Sequence, residues 1–175
     1  MTGRITGLFA TALLFAPSVS AFAQISNARA YCAQIRDDDT IRQLPRSLAD
    51  AAMLARRADD EAAGNSPNAR QLTKEDVDDF VAQTSFRCMD GLVWFCSVGA
   101  NLPCTTKPDT RTKIPEVDRY CRTERNVEFV PMAVTGHSVI YSWECVNGRA
   151  VITDRRQLDK RGFDAGIWTP LLNGK

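Results

Sequence analysis

The stretch Ser142-Trp143-Glu144-Cys145-Val146-Asn147-Gly148-Arg149 constrains this chain more than any other, and it has an echo in Ser85-Phe86-Arg87-Cys88-Met89-Asp90-Gly91-Leu92. Both read Ser, aromatic, charged, Cys, apolar, Asp or Asn, Gly. Asn-Gly and Asp-Gly are favoured at the centre of a type I′ turn, because both central positions need positive φ and the turn's twist matches that of the strands it joins. Each pair therefore predicts a two-residue hairpin. In the later one Val146 should face Arg149, Cys145 face Ala150, Trp143 face Ile152 and Tyr141 face Asp154. Alternation then puts Val139, Tyr141, Trp143, Cys145, Ala150 and Ile152 on one face, the core side. In the earlier one Phe86, Cys88, Val93 and Phe95 share a face and Arg87, Trp94 and Cys96 the other, so Cys88 and Cys96 cannot bond to each other. The match fades beyond the eight aligned positions, and independent use of good turn chemistry accounts for it more simply than duplication.

The N-terminus and the cysteines set the compartment. Arg4 makes a positive n-region, Leu8 to Ala16 an apolar h-region, and Ala21-Phe22-Ala23 a peptidase site, so residues 1–23 read as a signal peptide. The run is too short for a membrane span. One mature domain is expected over 24–175, periplasmic or secreted, with no membrane span after cleavage. The 22 basic and 21 acidic residues of the chain come to balance once Arg4 leaves with the leader. Such a balance carries no basic footprint for nucleic acid. Cys32, Cys88, Cys96, Cys104, Cys121 and Cys145 all lie in the mature part, and an even count in an exported chain reads as disulfides. Cys96 and Cys104 flank a turn-rich loop and form a local pair. The other four can pair in more than one way; Cys32 with Cys88 and Cys121 with Cys145 is the arrangement adopted. With one histidine and no C-x-x-C, the chain has no zinc spacing, and neither metal nor cofactor is expected.

Residues 24–83 read as mainly helical and 84–175 as mainly β. A first short helix carries Ala30, Tyr31, Cys32 and Ile35 and ends near Asp37-Asp38-Asp39. A second is capped by Ser47, with Asp50 in capping-box position and a stripe of Leu48, Ala51, Ala52, Leu54, Ala55 and Ala58. It frays at Asp59-Asp60-Glu61, where acidic residues oppose the helix dipole. A third starts at Thr73, with Glu75 and Asp76 in its first turn. Val117 to Cys121 reads as a helical turn, Glu128 to Val134 as a strand interrupted by Pro131, and Phe163 to Trp168 as a last strand. The expected fold class is α+β: N-terminal helices packed on a C-terminal antiparallel sheet built from the two hairpins and stabilised by disulfides.

Candidate chemistry is sparse. His137 is the one imidazole available for acid–base work, with Ser138 beside it; no G-x-S-x-G elbow supports a nucleophile, and no catalytic residue is assigned. Trp94, Trp143 and Trp168 are candidate stacking surfaces, although Trp143 falls on the predicted core face. Gly99, Ala100 and Asn101 offer backbone amides in the loop between Cys96 and Cys104. The candidate binding residues are thus Trp94, Gly99, Ala100, Asn101, His137 and Ser138.

Tyr141 to Gly148, together with Gly99 to Cys104, Pro131 to His137 and Arg161-Gly162-Phe163, resembles a group of small exported proteins of Gram-negative bacteria that has no assigned activity. The resemblance implies export and a disulfide-linked domain, and it carries over no catalytic residue. Tyr141, Cys145 and Gly148 are also similar, more loosely, to a hairpin of periplasmic inhibitors of c-type lysozyme, which are small β-barrels. The expected role is a non-catalytic exported domain that binds another macromolecule of the cell envelope, a protein or a glycan. A periplasmic inhibitor of lysozyme or protease and a small hydrolase using His137 are the alternatives.

Overall fold

The computed structural model describes residues 27–64, 72–97 and 104–172. The signal-peptide region and Gly99, Ala100 and Asn101 lie outside these residues. The elements are α1 (Ala28–Ile35), β1 (Asp38–Gln43), α2 (Ala49–Ala62), α3 (Lys74–Gln83), β2 (Ser85–Met89), β3 (Leu92–Cys96), α4 (Pro115–Glu124), α5 (Met132–Thr135), β4 (Tyr141–Val146), β5 (Arg149–Arg155) and β6 (Thr169–Pro170). This is an α+β fold with antiparallel sheets, but helices and strands are interleaved.

The two hairpins do not share a sheet. β2 and β3 sit inside a four-stranded sheet of order β1-β2-β3-β6, whereas β4 and β5 form a sheet of their own. Both turns have the expected two-residue loops: Asp90 and Gly91 at φ 58° and 79°, Asn147 and Gly148 at φ 52° and 81°. The β2–β3 register is the predicted one, with Cys88 opposite Val93 and Phe86 opposite Phe95. In β4–β5 it holds from Val146–Arg149 to Trp143–Ile152. There a bulge leaves Thr153 unpaired, so Tyr141 faces Arg155 instead of Asp154. Trp143, Cys145 and Val139 are buried as expected, but Ile152 is 38% exposed.

Several local readings are overturned by tertiary pairing. Asp38–Gln43 is a strand within the stretch read as helical; it pairs antiparallel with β2 through a bulge, and its half-buried place on a sheet edge outweighs weak local preference. Ser47 falls in a short 3-10 turn, Arg46–Leu48, and α2 begins after Leu48 with no side-chain cap. The helix continues through Asp59-Asp60-Glu61 to Ala62, so those carboxylates are held on it. Thr73 does cap α3, in a full capping box with Asp76. Pro115 opens α4, a ten-residue helix where a single turn was expected. Between Glu128 and Val134 no strand forms: Pro131 stands at the N-cap of the four-residue α5. The last strand is Thr169–Pro170, beyond the Phe163–Trp168 segment.

Three disulfides join Cys32 to Cys88, Cys96 to Cys104 and Cys121 to Cys145. That chemistry places the chain in an oxidising compartment. Among the described residues no helix is long and apolar enough to cross a membrane. Three clusters of buried side chains form around the bonds. Ala28, Cys32, Ala52, Phe86, Cys88, Val93 and Phe95 lie between the helices and one face of the larger sheet. Cys96, Cys104, Phe163 and Trp168 cover its other face. Ile114, Val117, Cys121, Val130, Trp143 and Cys145 lie between α4 and the smaller sheet.

The hairpins are docked alike. α1 ends at Arg36 and α4 at Arg125, both with positive φ and each donating its N–H to the carbonyl of the helix cysteine four residues back. The Arg36 carbonyl accepts from Gly91 N–H at 2.8 Å, and the Arg125 carbonyl accepts from Gly148 N–H at 2.8 Å. The next side chain repeats the pattern: Asp37 Oδ1 accepts from Asp90 N–H at 2.9 Å and Asn126 Oδ1 from Asn147 N–H at 2.8 Å. Then Asp38 pairs with Cys88 and Val127 with Cys145. The likeness therefore reaches well past the eight hairpin positions. A unit of helix, disulfide and hairpin is built twice, with a strand, β1, beside the first hairpin and a single bridge at Val127 beside the second.

Candidate functional site

The strands of the first hairpin place Arg87 and Trp94 opposite one another on the face away from the helices. A segment with little regular structure, 156–168, covers that face, held down by its own carboxylates. Asp159 Oδ1 accepts from the N–H groups of Arg161 (2.8 Å) and Phe163 (3.0 Å), and its other oxygen pairs with Arg87. Asp164 takes Arg156, which also reaches the Val139 carbonyl at 2.6 Å. One arginine thus ties the covering segment to the second unit.

Arg87 is fully buried. Its guanidinium carbon lies 4.2 Å from the ring centre of Phe163, 4.7 Å from that of Trp168 and 5.9 Å from that of Trp94. Its Nε has no hydrogen-bond partner. Burial pushes the guanidinium below its ordinary range, opposed by the charge and hydrogen bond of Asp159. A buried cation costs several kcal/mol unless paired; here one carboxylate and three ring faces offset that cost.

Beside this layer an open cleft of about 600 Å³ lies between α2 and residues 165–170. Arg56, Asp59 and Asp60 of α2 form one wall; Trp94 and Ser97 from the end of β3, with Ile167, Trp168 and Thr169, form the other. The wall residues are fixed. Thr169 Oγ1 donates to Asp59 at 2.8 Å, Arg56 donates to the Ser97 carbonyl, and Trp94 Nε1 donates to the Met89 carbonyl at 3.1 Å. Trp94 is half-buried, packs against the cluster of Cys96, Phe163 and Trp168, and also lines the cleft. The acidic end of α2, which the sequence reading treated as a frayed terminus, supplies the carboxylates.

The other candidates lie elsewhere. His137 is exposed and lines a groove of about 210 Å³ with Phe129, Met132, Tyr141 and Arg156; no carboxylate lines it. Ser138 faces a different recess, beside Asp164 and Trp168. Trp143 is core, 2% exposed, packed edge-on to Tyr141 with ring centres 5.8 Å apart. Trp94 and His137 line separate depressions and do not share a site.

In comparisons with known proteins, the chain matched no family model, no curated protein and no solved structure. The site is therefore read from its own chemistry. Among the described residues no group of three His, Cys, Asp or Glu side chains gathers as a metal ligand set. The cleft is lined by Trp94 and Trp168, two carboxylates, a guanidinium and two hydroxyl-bearing residues.

Proposed function

We propose that this is an exported, non-catalytic domain that binds another macromolecule of the cell envelope, and that the cleft beside Trp94 is where it binds. The observation that carries the reading is the cleft's lining, which brings Trp94 and Trp168 together with Asp59, Asp60 and Arg56 around an open depression of about 600 Å³. That combination suits a saccharide chain. A sugar ring stacks its C–H face on an aromatic ring, and its hydroxyls donate to carboxylates and accept from a guanidinium. The groove at His137 gives the imidazole no carboxylate to orient it, and the binding reading is favoured over the hydrolytic one on that geometry.

The test is titration of the oxidised protein with soluble peptidoglycan glycan fragments, followed by calorimetry in both wild type and variant. The wild type is expected to bind, and Trp94→Ala to lose most of the affinity. Wild-type binding that survives in Trp94→Ala, or an absence of binding by wild type at millimolar glycan, would sink the proposal.

A further inference from the structure

The two copies of the helix–hairpin unit differ at one edge. In the first, the outer edge of β3 is covered by the C-terminal segment: Thr169 pairs with Phe95, Pro170 with Trp94, and Leu171 N–H donates to the Val93 carbonyl at 2.7 Å. Aligning the Asp90-Gly91 and Asn147-Gly148 turns puts Ala150, Val151 and Ile152 in the places of Val93, Trp94 and Phe95. Among the described residues β5 has no strand partner but β4. At the two positions where β6 pairs in the first copy, Val151 is 40% and Ile152 38% exposed.

We propose that the β5 edge binds an extended segment of a partner protein, added antiparallel as β6 is added to β3. Such pairing takes its affinity from main-chain hydrogen bonds and its selectivity from side chains on alternating positions. The occupied edge gives the direction, and the cations beside the free edge give the charge. The segment's C-terminal end lies toward the turn, and in the first copy Arg29 donates there to the carbonyls of Leu171 (3.1 Å) and Leu172 (3.3 Å). In the second copy exposed Arg149 occupies that end of the strand, and the Arg125 guanidinium lies beside Gly148. The partner segment therefore carries apolar residues opposite Val151 and Ile152, followed on its C-terminal side by a carboxylate. This surface is separate from the Trp94 cleft and stands whether or not that cleft takes a glycan.

The experiment pans a displayed library of ten-residue peptides against the full oxidised chain. The best synthetic peptide is then measured by fluorescence anisotropy and amide hydrogen exchange. Enriched peptides are expected to hold an apolar pair followed by Asp or Glu and to slow exchange at Ala150 and Ile152. Val151→Lys is expected to weaken binding at least tenfold and Arg149→Glu about fivefold, while Trp94→Ala leaves it unchanged. Val151 and Arg149 are exposed side chains, and circular dichroism with a thiol count checks that each variant is folded and oxidised. The proposal is overturned if no peptide enriches, if Val151→Lys binds equally well, or if protection appears at other amides. It is also overturned if the free chain already protects Ala150 and Ile152, or sediments as a dimer that Val151→Lys dissociates. Loss of peptide binding in Trp94→Ala would move the peptide to the cleft and overturn the edge assignment.

Discussion

The two helix–hairpin units share a backbone plan and differ in what covers them. In the first, both sheet faces are covered and β6 closes the edge; in the second, one face packs on α4, and β5 stands in solvent apart from Ala150. The aligned positions carry the difference. Phe86 and Trp143 are both buried under a helix, and Cys88 and Cys145 are both bonded to it. Between them stand Arg87, fully buried, and Glu144, partly exposed. The same unit thus closes where its outward charge has a buried partner and stays open where that charge is left to water. Closure in the first copy gives the walls of the cleft; openness in the second leaves an edge.

The largest asymmetry should appear at that aligned pair. Arg87→Ala strips Asp159 of its cation, and breaking a buried pair costs about 3–5 kcal/mol. Glu144→Ala should move stability by no more than about 0.5 kcal/mol, the scale of a surface substitution. Denaturant unfolding of both oxidised variants checks this. Equal losses would show that the covering segment does not depend on Arg87.

The disulfides sharpen the comparison on a smaller scale. Cys32 and Cys88 are 56 residues apart and Cys121 and Cys145 are 24 apart. If each bond acts by restricting the unfolded chain, removing the first costs about 4 kcal/mol and the second about 3.5 kcal/mol. Paired Cys→Ala variants, measured by thermal and denaturant unfolding, test the order. A larger loss for the shorter loop would mean that native packing around Trp143, not chain entropy, sets the stability of the second unit.

What could be read from the sequence follows the range of the forces involved. The turns, the Thr73 cap and the β2–β3 register were legible because Asp-Gly, Asn-Gly and Thr-x-x-Asp act over a few residues. The cysteine partners coincide with those set down from the sequence. β1 was hidden because Asp38-Asp39-Thr40-Ile41-Arg42-Gln43 has no strong strand preference and is a strand only beside β2. β6, two residues long, leaves no periodic signal at all. The repeat was half visible: Tyr31-Cys32 and Tyr120-Cys121 each precede Arg and then Asp or Asn at the same spacing, but unequal linkers to the hairpins break the alignment. In the cleft, Trp94 was a candidate from the start, whereas Arg56, Asp59 and Asp60 reach it only through the packing of α2 against the sheet.

The smallest predicted effect concerns pH, and it too separates the copies. Where the first unit has Asp38 opposite Cys88, the second has Val127 opposite Cys145. Burial alone would raise the Asp38 carboxyl, but hydrogen bonds from Tyr31 Oη at 2.6 Å, from Thr40 N–H at 2.9 Å and from Arg42 outweigh it and hold the group well below the carboxylate range. Tyr120, in the place of Tyr31, packs with Val127 against an apolar cluster instead. A carboxylate with a depressed folded-state pKa contributes stability that is complete above its unfolded value, about 3.9, and is lost as pH falls toward the folded one. The stability difference between wild type and Asp38→Asn should therefore be constant above about pH 5 and shrink steadily below about pH 4. Denaturant midpoints from pH 7 down to pH 2.5 measure it. Parallel curves for the two proteins would show that Asp38 is not what makes the first unit acid-sensitive, and would shift attention to Asp39, which is held low chiefly by its hydrogen bond from Arg161.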